Sequence, residues 1–141
     1  FKQVASQIWY LIRELTGAKR KNSQSIHSIK TESRPWGSFT ILDEGKQFKV
    51  KRLTVNPGQS TSLQYHKHRS ERWIVVQGVA TVTLGSQSHV VNENEWINIP
   101  LKEVHLLANK GNKVLQLIEV QYGSYLGEDD IIRLEDRYGR D

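Results

Sequence analysis

At 141 residues, with 37% hydrophobic and 25% charged side chains, the chain has the size and composition of one globular domain and leaves no room for a nucleotide-binding domain beside a catalytic one. It contains no cysteine, which excludes a disulfide framework and thiolate metal sites, so any metal must be held by His, Asp, Glu or amide oxygens. Of the net charge of +5, residues 1–30 carry all: six basic side chains against Glu14, whereas residues 31–141 hold fourteen of each sign. The main domain is neutral, and without an aromatic-interleaved basic strand or a recognition-helix pattern we expect no nucleic-acid partner.

In chain order, Val4, Ile8, Leu11, Ile12 and Leu15 fall at helical spacing with Gly17 as a stop, predicting an amphipathic helix within residues 1–21 whose apolar stripe needs a cover. Residues 22–33, rich in Ser, Asn and Gln, predict a linker, and the domain proper is expected over 34–141. No apolar run approaches the roughly 20 residues of a membrane span, nor does the start resemble a signal peptide, so we expect no membrane partner and a cytoplasmic protein. The chain opens on Phe1 and has no Met, so either its natural start is missing or it is a piece of something longer.

From Arg34 to about Gly123, nine short β-type runs follow: SFTIL, QFKVKRLTV, STSLQYH, RWIVVQ, VATVTL, HVV, WINIP, VHLLA and KVLQLIEVQ. Asn56-Pro57-Gly58, Gln77-Gly78, Gly85-Ser86 and Lys110-Gly111-Asn112 punctuate them. Consecutive strands without intervening helices predict an all-β fold, an antiparallel sandwich or jelly-roll barrel. The tail around Ile131, Ile132 and Leu134 is expected to be a short helix or an ordered cover, and the acids of Gly127-Glu128-Asp129-Asp130 to be a helix-terminal turn. Trp36, Trp73 and Trp96 are expected in the core.

Two segments carry candidate chemistry. In the first, Gly58 is followed by Gln64-Tyr65-His66, then Glu71 and Gly78; in the second, Asn94 is followed by Pro100, Lys102, His105 and Asn109. Side chains two apart on a strand share a face, so Gln64 and His66 point the same way, and a short turn can bring Glu71 back to them. With His105 from a distant strand, an amide oxygen, two imidazoles and a carboxylate form a set suited to Zn²⁺ and tolerant of Mn, Fe, Co or Ni. His66-Lys67-His68 could itself supply a ligand pair.

These segments resemble the paired motifs of the cupin superfamily, with Gln64 in place of the usual first His and Asn94 and Lys102 in place of two glycines. More narrowly, RPWGSFTILDEG (34–45), LQYHKHRSERWIVVQG (63–78), Pro100 to His105 and LIEVQYGSYLGEDDIIRLEDRYGR (117–140) resemble the type II mannose-6-phosphate isomerase domain, which often follows a mannose-1-phosphate guanylyltransferase domain. Tyr65, Lys67, Arg72 and Lys102 depart from that family. The resemblance implies a cupin-type jelly-roll barrel, metal ligands Gln64, His66, Glu71 and His105, and interconversion of mannose 6-phosphate and fructose 6-phosphate.

That reaction moves a proton between C2 and C1. It needs a group that polarises the carbonyl and enediolate, a base, and a cation for the phosphate. Arg69, expected at the site rim, is the candidate charge stabiliser or phosphate anchor, and Glu119 or His68 the candidate base. Lys51, Arg133 and Arg137 are further phosphate candidates. Glu119 could instead be paired structurally with Lys51 or Arg52, and Arg69 with the Glu71 neighbourhood. The competing functions are a catalytically silent sugar-phosphate-binding or assembly cupin and an iron-dependent oxygenase. A homodimer is expected, because the N-terminal stripe and sheet edges need cover.

Overall fold

The structure, a computed structural model, describes residues 29–140. The expected N-terminal helix therefore lies outside the described residues, as does residue 22–28 of the expected linker. Eleven strands are formed: β1 (Lys30–Arg34), β2 (Gly37–Glu44), β3 (Phe48–Val55), β4 (Leu63–Tyr65), β5 (Arg69–Gln77), β6 (Ala80–Leu84), β7 (Gln87–Val91), β8 (Trp96–Ile99), β9 (His105–Ala108), β10 (Leu115–Gly123) and β11 (Ile132–Glu135). The nine expected runs correspond to β2 through β10. β1 occupies the end of the segment read as linker: its polar composition hid an edge strand that pairs with β2 from Lys30↔Ile41 to Arg34↔Gly37. The tail supplies one 3-10 turn, Glu128–Asp130, and β11.

The strands form two antiparallel sheets, ordered β1-β2-β3-β10-β5-β8 and β11-β4-β9-β6-β7. No ladder joins them among the described residues, so the expected all-β antiparallel fold is observed as a pair of sheets with edges at β1, β8, β11 and β7, without closure into a barrel by hydrogen bonds. No helix of the described residues is long and apolar enough to cross a membrane.

Strand alternation sorts the chemistry by depth. On the six-stranded sheet, Phe39, Leu53, Leu117 and Val75 are successive cross-strand neighbours and all are buried. They pack in one core cluster with Val82 and Leu107 of the other sheet. Each such side chain contributes on the order of 1.5–3 kcal/mol through burial. Two residues further along the same face, the row becomes Ile41, Lys51, Glu119, Trp73 and Ile97, and two further again Lys49, Gln121, Glu71 and Ile99. One end of the inner face is thus apolar and the other polar.

Local sequence explains the frame. Gly37 has φ +149°, and a Cβ there would collide with the Thr54 carbonyl oxygen, so the Trp36-Gly37 step lets β2 pass close against β3. Trp36 and Trp73 are buried as expected, but Trp96 is 59% exposed on edge strand β8, where the Arg72 guanidinium lies 4.8 Å from its ring centroid.

Candidate metal centre

His66 follows the last residue of β4, Glu71 is the third residue of β5, and His105 opens β9. These three buried side chains present ligand atoms that all lie within 4.8 Å of one another. The register places Gln64 directly opposite His105, making it the half-buried neighbour of the cluster, with its Oε1 accepting the Ser62 hydroxyl at 2.6 Å.

The two imidazoles are oriented by main-chain carbonyls. His66 Nδ1 donates to the Asp130 carbonyl at 2.8 Å and His105 Nδ1 to the Glu103 carbonyl at 2.9 Å. A carbonyl can only accept, so each Nδ1 carries a hydrogen and each Nε2 turns a lone pair inward. Both Nε2 atoms are buried without a hydrogen-bond donor. His66 Nε2 nevertheless lies 3.1 Å from Glu71 Oε1, an approach of two acceptors unless a proton or cation stands between them. Two orphaned imidazole nitrogens beside a carboxylate form a donor set that fits a divalent ion.

The same contacts set the proton affinities. Burial lowers the His105 pKa. Burial also presses on His66, but the Glu71 hydrogen bond and charge outweigh it and hold His66 above its ordinary value. Burial disfavours the Glu71 anion, yet the His66 hydrogen bond, with the charges of His66 and Arg69, keeps its carboxyl well below the usual range.

Glu71 is fixed from several sides. Arg69 Nε donates to its Oε1 at 2.9 Å and Trp73 Nε1 to its Oε2 at 3.0 Å. Gln121 Nε2 donates to Glu119 Oε1 at 2.6 Å and lies 3.4 Å from Glu71 Oε1, bridging the two carboxylates. Burial, reinforced by the Glu71 charge, pushes Glu119 up to about 7 against the pull of Lys51 and Arg69. Lys51, across the ladder from Glu119, bonds instead to Glu128, with its ammonium 4.1 Å from the Phe39 ring centroid.

A cavity partly open to solvent is lined by Gln64, Arg69, Glu71, Glu119, Gln121 and Lys51, and by Arg133. Arg69 was expected at the rim; it is buried instead, because its second partner is the Gly127 carbonyl at 3.1 Å. His68 is not brought to the cavity. Its ring is half-exposed, and its Nδ1 and main-chain N–H both bind the Asp130 carboxylate, so it stands apart from the cluster of His66, Glu71 and His105. Arg137 also lies outside the cavity, donating to the Gly58 carbonyl at the surface.

Sequence reasoning missed Gln121 and Asp130. The alternation of β10 carries the signal for Gln121, which shares a face with Glu119. Asp130 had no comparable signal: its carboxylate binds the Lys67 and His68 amides while its carbonyl orients His66, a long-range contact. Burial opposes its ionisation, but those donors bring its pKa below the ordinary value.

Comparison with known proteins accords with this geometry. The chain is 56% identical over 107 residues to the xanthan biosynthesis protein XanB of Xanthomonas campestris pv. campestris, covering 76% of this chain and 23% of that one. It is 46% identical over 139 residues to the alginate biosynthesis protein AlgA of Pseudomonas aeruginosa, covering 99% and 28%. It is 51% identical over 130 residues to a mannose-1-phosphate guanylyltransferase of Escherichia coli, covering 92% and 27%. The chain thus spans about a quarter of the length of these relatives.

Among solved structures, the capsular polysaccharide assembling protein CapF of Staphylococcus aureus aligns with a TM-score of 0.69 at 18% identity, over 80% of this chain and 33% of that one. The Schizosaccharomyces pombe Cnp3 cupin domain aligns at 0.59 and 14%, over 68% and 69%. These likenesses establish a cupin-like fold. The family described as mannose-6-phosphate isomerase, C-terminal, matches residues 19–136, and the chain belongs to it.

Proposed function

We propose that this domain is a metal-dependent aldose–ketose isomerase, interconverting mannose 6-phosphate and fructose 6-phosphate for GDP-mannose supply, on a jelly-roll version of the cupin fold. The observation that carries the reading is the pair of buried donor-less Nε2 atoms, of His66 and His105, beside Glu71, which itself lines a cavity with Gln64 and Glu119. His66, Glu71, His105 and Gln64 would hold the ion, with zinc as the expected metal. When bound, it would act as a Lewis acid on the substrate carbonyl.

The remaining roles fall to this chain's side chains. Glu119, with a pKa of about 7, can take and return a proton near neutral pH, as transfer between C2 and C1 requires. Gln121 holds the Glu119 carboxyl in place through the 2.6 Å hydrogen bond. Arg69 keeps Glu71 ionised and oriented, and is a positioning residue in this reading.

The test is direct. Purified protein should convert mannose 6-phosphate to fructose 6-phosphate in a coupled assay, lose turnover to a chelator and regain it with a divalent ion. Absence of turnover at full metal occupancy would sink the proposal.

One observation favours a second reading, a silent sugar-phosphate-binding or assembly module: the Escherichia coli relative is named for guanylyl transfer alone. Binding of mannose 6-phosphate without turnover is its signature, and oxygen consumption would be that of the oxygenase. We further propose a cytoplasmic homodimer, which light scattering tests.

A further inference from the structure

The outer face of the six-stranded sheet is apolar, where the solvated face of an antiparallel sheet ordinarily turns polar. On β3, β10, β5 and β8 it presents Phe48, Val120, Tyr122, Ile74, Val76 and Trp96, each between 36% and 60% exposed. The ladders make them one surface. Trp96 is opposite Ile74, Ile74 opposite half-buried Ile118, and Tyr122 opposite Phe48, while Val120 stands between Arg72 and Val50. At these exposures the six side chains leave on the order of 500 Å² of apolar surface open, a size that marks interaction sites on soluble proteins. The five-stranded sheet differs, since its outer positions on β6 and β7 include Thr81, Thr83 and Ser88.

Charge narrows what can cover the apolar face. The outward positions of β3, β5, β8 and β10 carry Arg52 and Arg72 and no carboxylate. A two-fold contact between copies through this face would put four arginines and no acid into one interface. Residues 1–17 of the chain itself have the complementary pattern. At helical spacing, Val4, Ile8, Leu11, Ile12 and Leu15 fall within a sector of about 100°, with Lys2 and Arg13 on the opposite side. Glu14, the one acid of residues 1–30, lies beside that sector.

Length and reach agree with this match. A helix from Val4 to Leu15 runs roughly 17 Å, and β3 to β8 spans three strand spacings, roughly 14 Å. The fourteen residues between Leu15 and Lys30 can extend over about 45 Å. They need far less, because β1, which starts at Lys30, is three places from β10 in the same sheet.

We propose that the outer face of the six-stranded sheet is the docking surface for residues 1–17 of the same chain, laid across β10 and β5 as an amphipathic helix. Its apolar stripe covers Ile74, Ile118 and Val120, and Glu14 meets Arg52 or Arg72. The stripe is then covered within one chain, and the homodimer proposed above rests on the sheet edges alone.

The chain has no cysteine of its own, so engineered pairs report without background. Leu11→Cys is combined in the full chain with Ile74→Cys, Ile118→Cys or Val120→Cys. The control pairs it with Val90→Cys, exposed on β7 of the other sheet. Under mild oxidation, at least one outer-face pair should cross-link within a single chain at least tenfold faster than the control. Trypsin cleavage after Arg13, followed by mass spectrometry, gives a second reading. Val120→Asp should speed it at least tenfold, and Val90→Asp should leave it unchanged.

Cross-links between two chains, seen as dimers on a non-reducing gel, would assign the face to a second copy and overturn the inference. Outer-face pairs no faster than the control overturn it as well, as does a wild-type rate of cleavage at Arg13 in folded Val120→Asp.

Discussion

His66 Nε2 lies 3.1 Å from Glu71 Oε1 while His66 Nδ1 is held by the Asp130 carbonyl, so a single positive charge is called for between ring and carboxylate. A proton and a metal ion compete for that place. His66 keeps its proton to a higher pH than an ordinary histidine, because Glu71 outweighs the effect of burial. Metal affinity should therefore be weak below that raised pKa and strengthen as pH rises through it, approaching tenfold per unit on the acid side. Titration with a metal indicator between about pH 5 and about pH 8 should show this slope together with proton release on binding. Affinity independent of pH would contradict the arrangement.

Arg69 and Glu71 form a buried ion pair, each side chain about 2% exposed. Removing one partner strands the other charge, at a cost of about 3–5 kcal/mol. Arg69→Met should accordingly lower the denaturant midpoint by that order and raise the Glu71 pKa, weakening metal binding at acid pH first. Unchanged stability, measured by urea unfolding, would show that the pair carries no net structural weight.

Glu119 gives a pH signature of opposite sign to that of a salt-bridged acid. Its folded-state pKa, about 7, stands above its ordinary 4.5. The stabilising preference for the protonated form is complete below 4.5 and is lost as pH rises through about 7. The metal-free wild type should lose a few kcal/mol of stability across this window. Glu119→Gln, neutral throughout, should lack this step while its amide oxygen still accepts from Gln121. Parallel stability curves for the two proteins would rule out the raised pKa.

Lys102 has φ +65° and Asn94 φ +66°, both in the left-handed region, at the two positions where the cupin motif resemblance led us to expect glycine. For a lysine that conformation costs roughly 1–2 kcal/mol. Lys102→Gly relieves it, partly offset by the greater freedom of glycine in the unfolded chain. We expect a modest rise in thermal midpoint with the Lys102 N–H to His66 O hydrogen bond of 3.0 Å kept. A fall in midpoint would mean that the lysine side chain supplies more than its backbone costs.

What could be read in advance depended on the range of the interaction. Alternation over LQLIEVQ and its neighbours located nine strands, and the spacing of His66, Glu71 and His105 named residues that the fold does bring together. The β1 strand escaped notice because KTESR has no apolar face and is ordered by pairing alone. The placements of Arg69 and His68 were misjudged for one reason: both depend on the tail, through Gly127 and Asp130, some sixty residues further along the chain. Local pattern carries no trace of such contacts, nor of the exposure of Trp96 on an edge strand.

The 64-residue separation between His66 and the Asp130 carbonyl has a consequence for biosynthesis. On a ribosome the histidine and its carboxylate neighbour emerge long before the carbonyl that selects the ring's tautomer. The contact that locks that imidazole cannot form until Asp130 has left the exit tunnel. The centre is therefore completed only once residue 130 has been added, and a chain arrested short of it would carry His66, Glu71 and His105 with one of the rings still free to choose its proton.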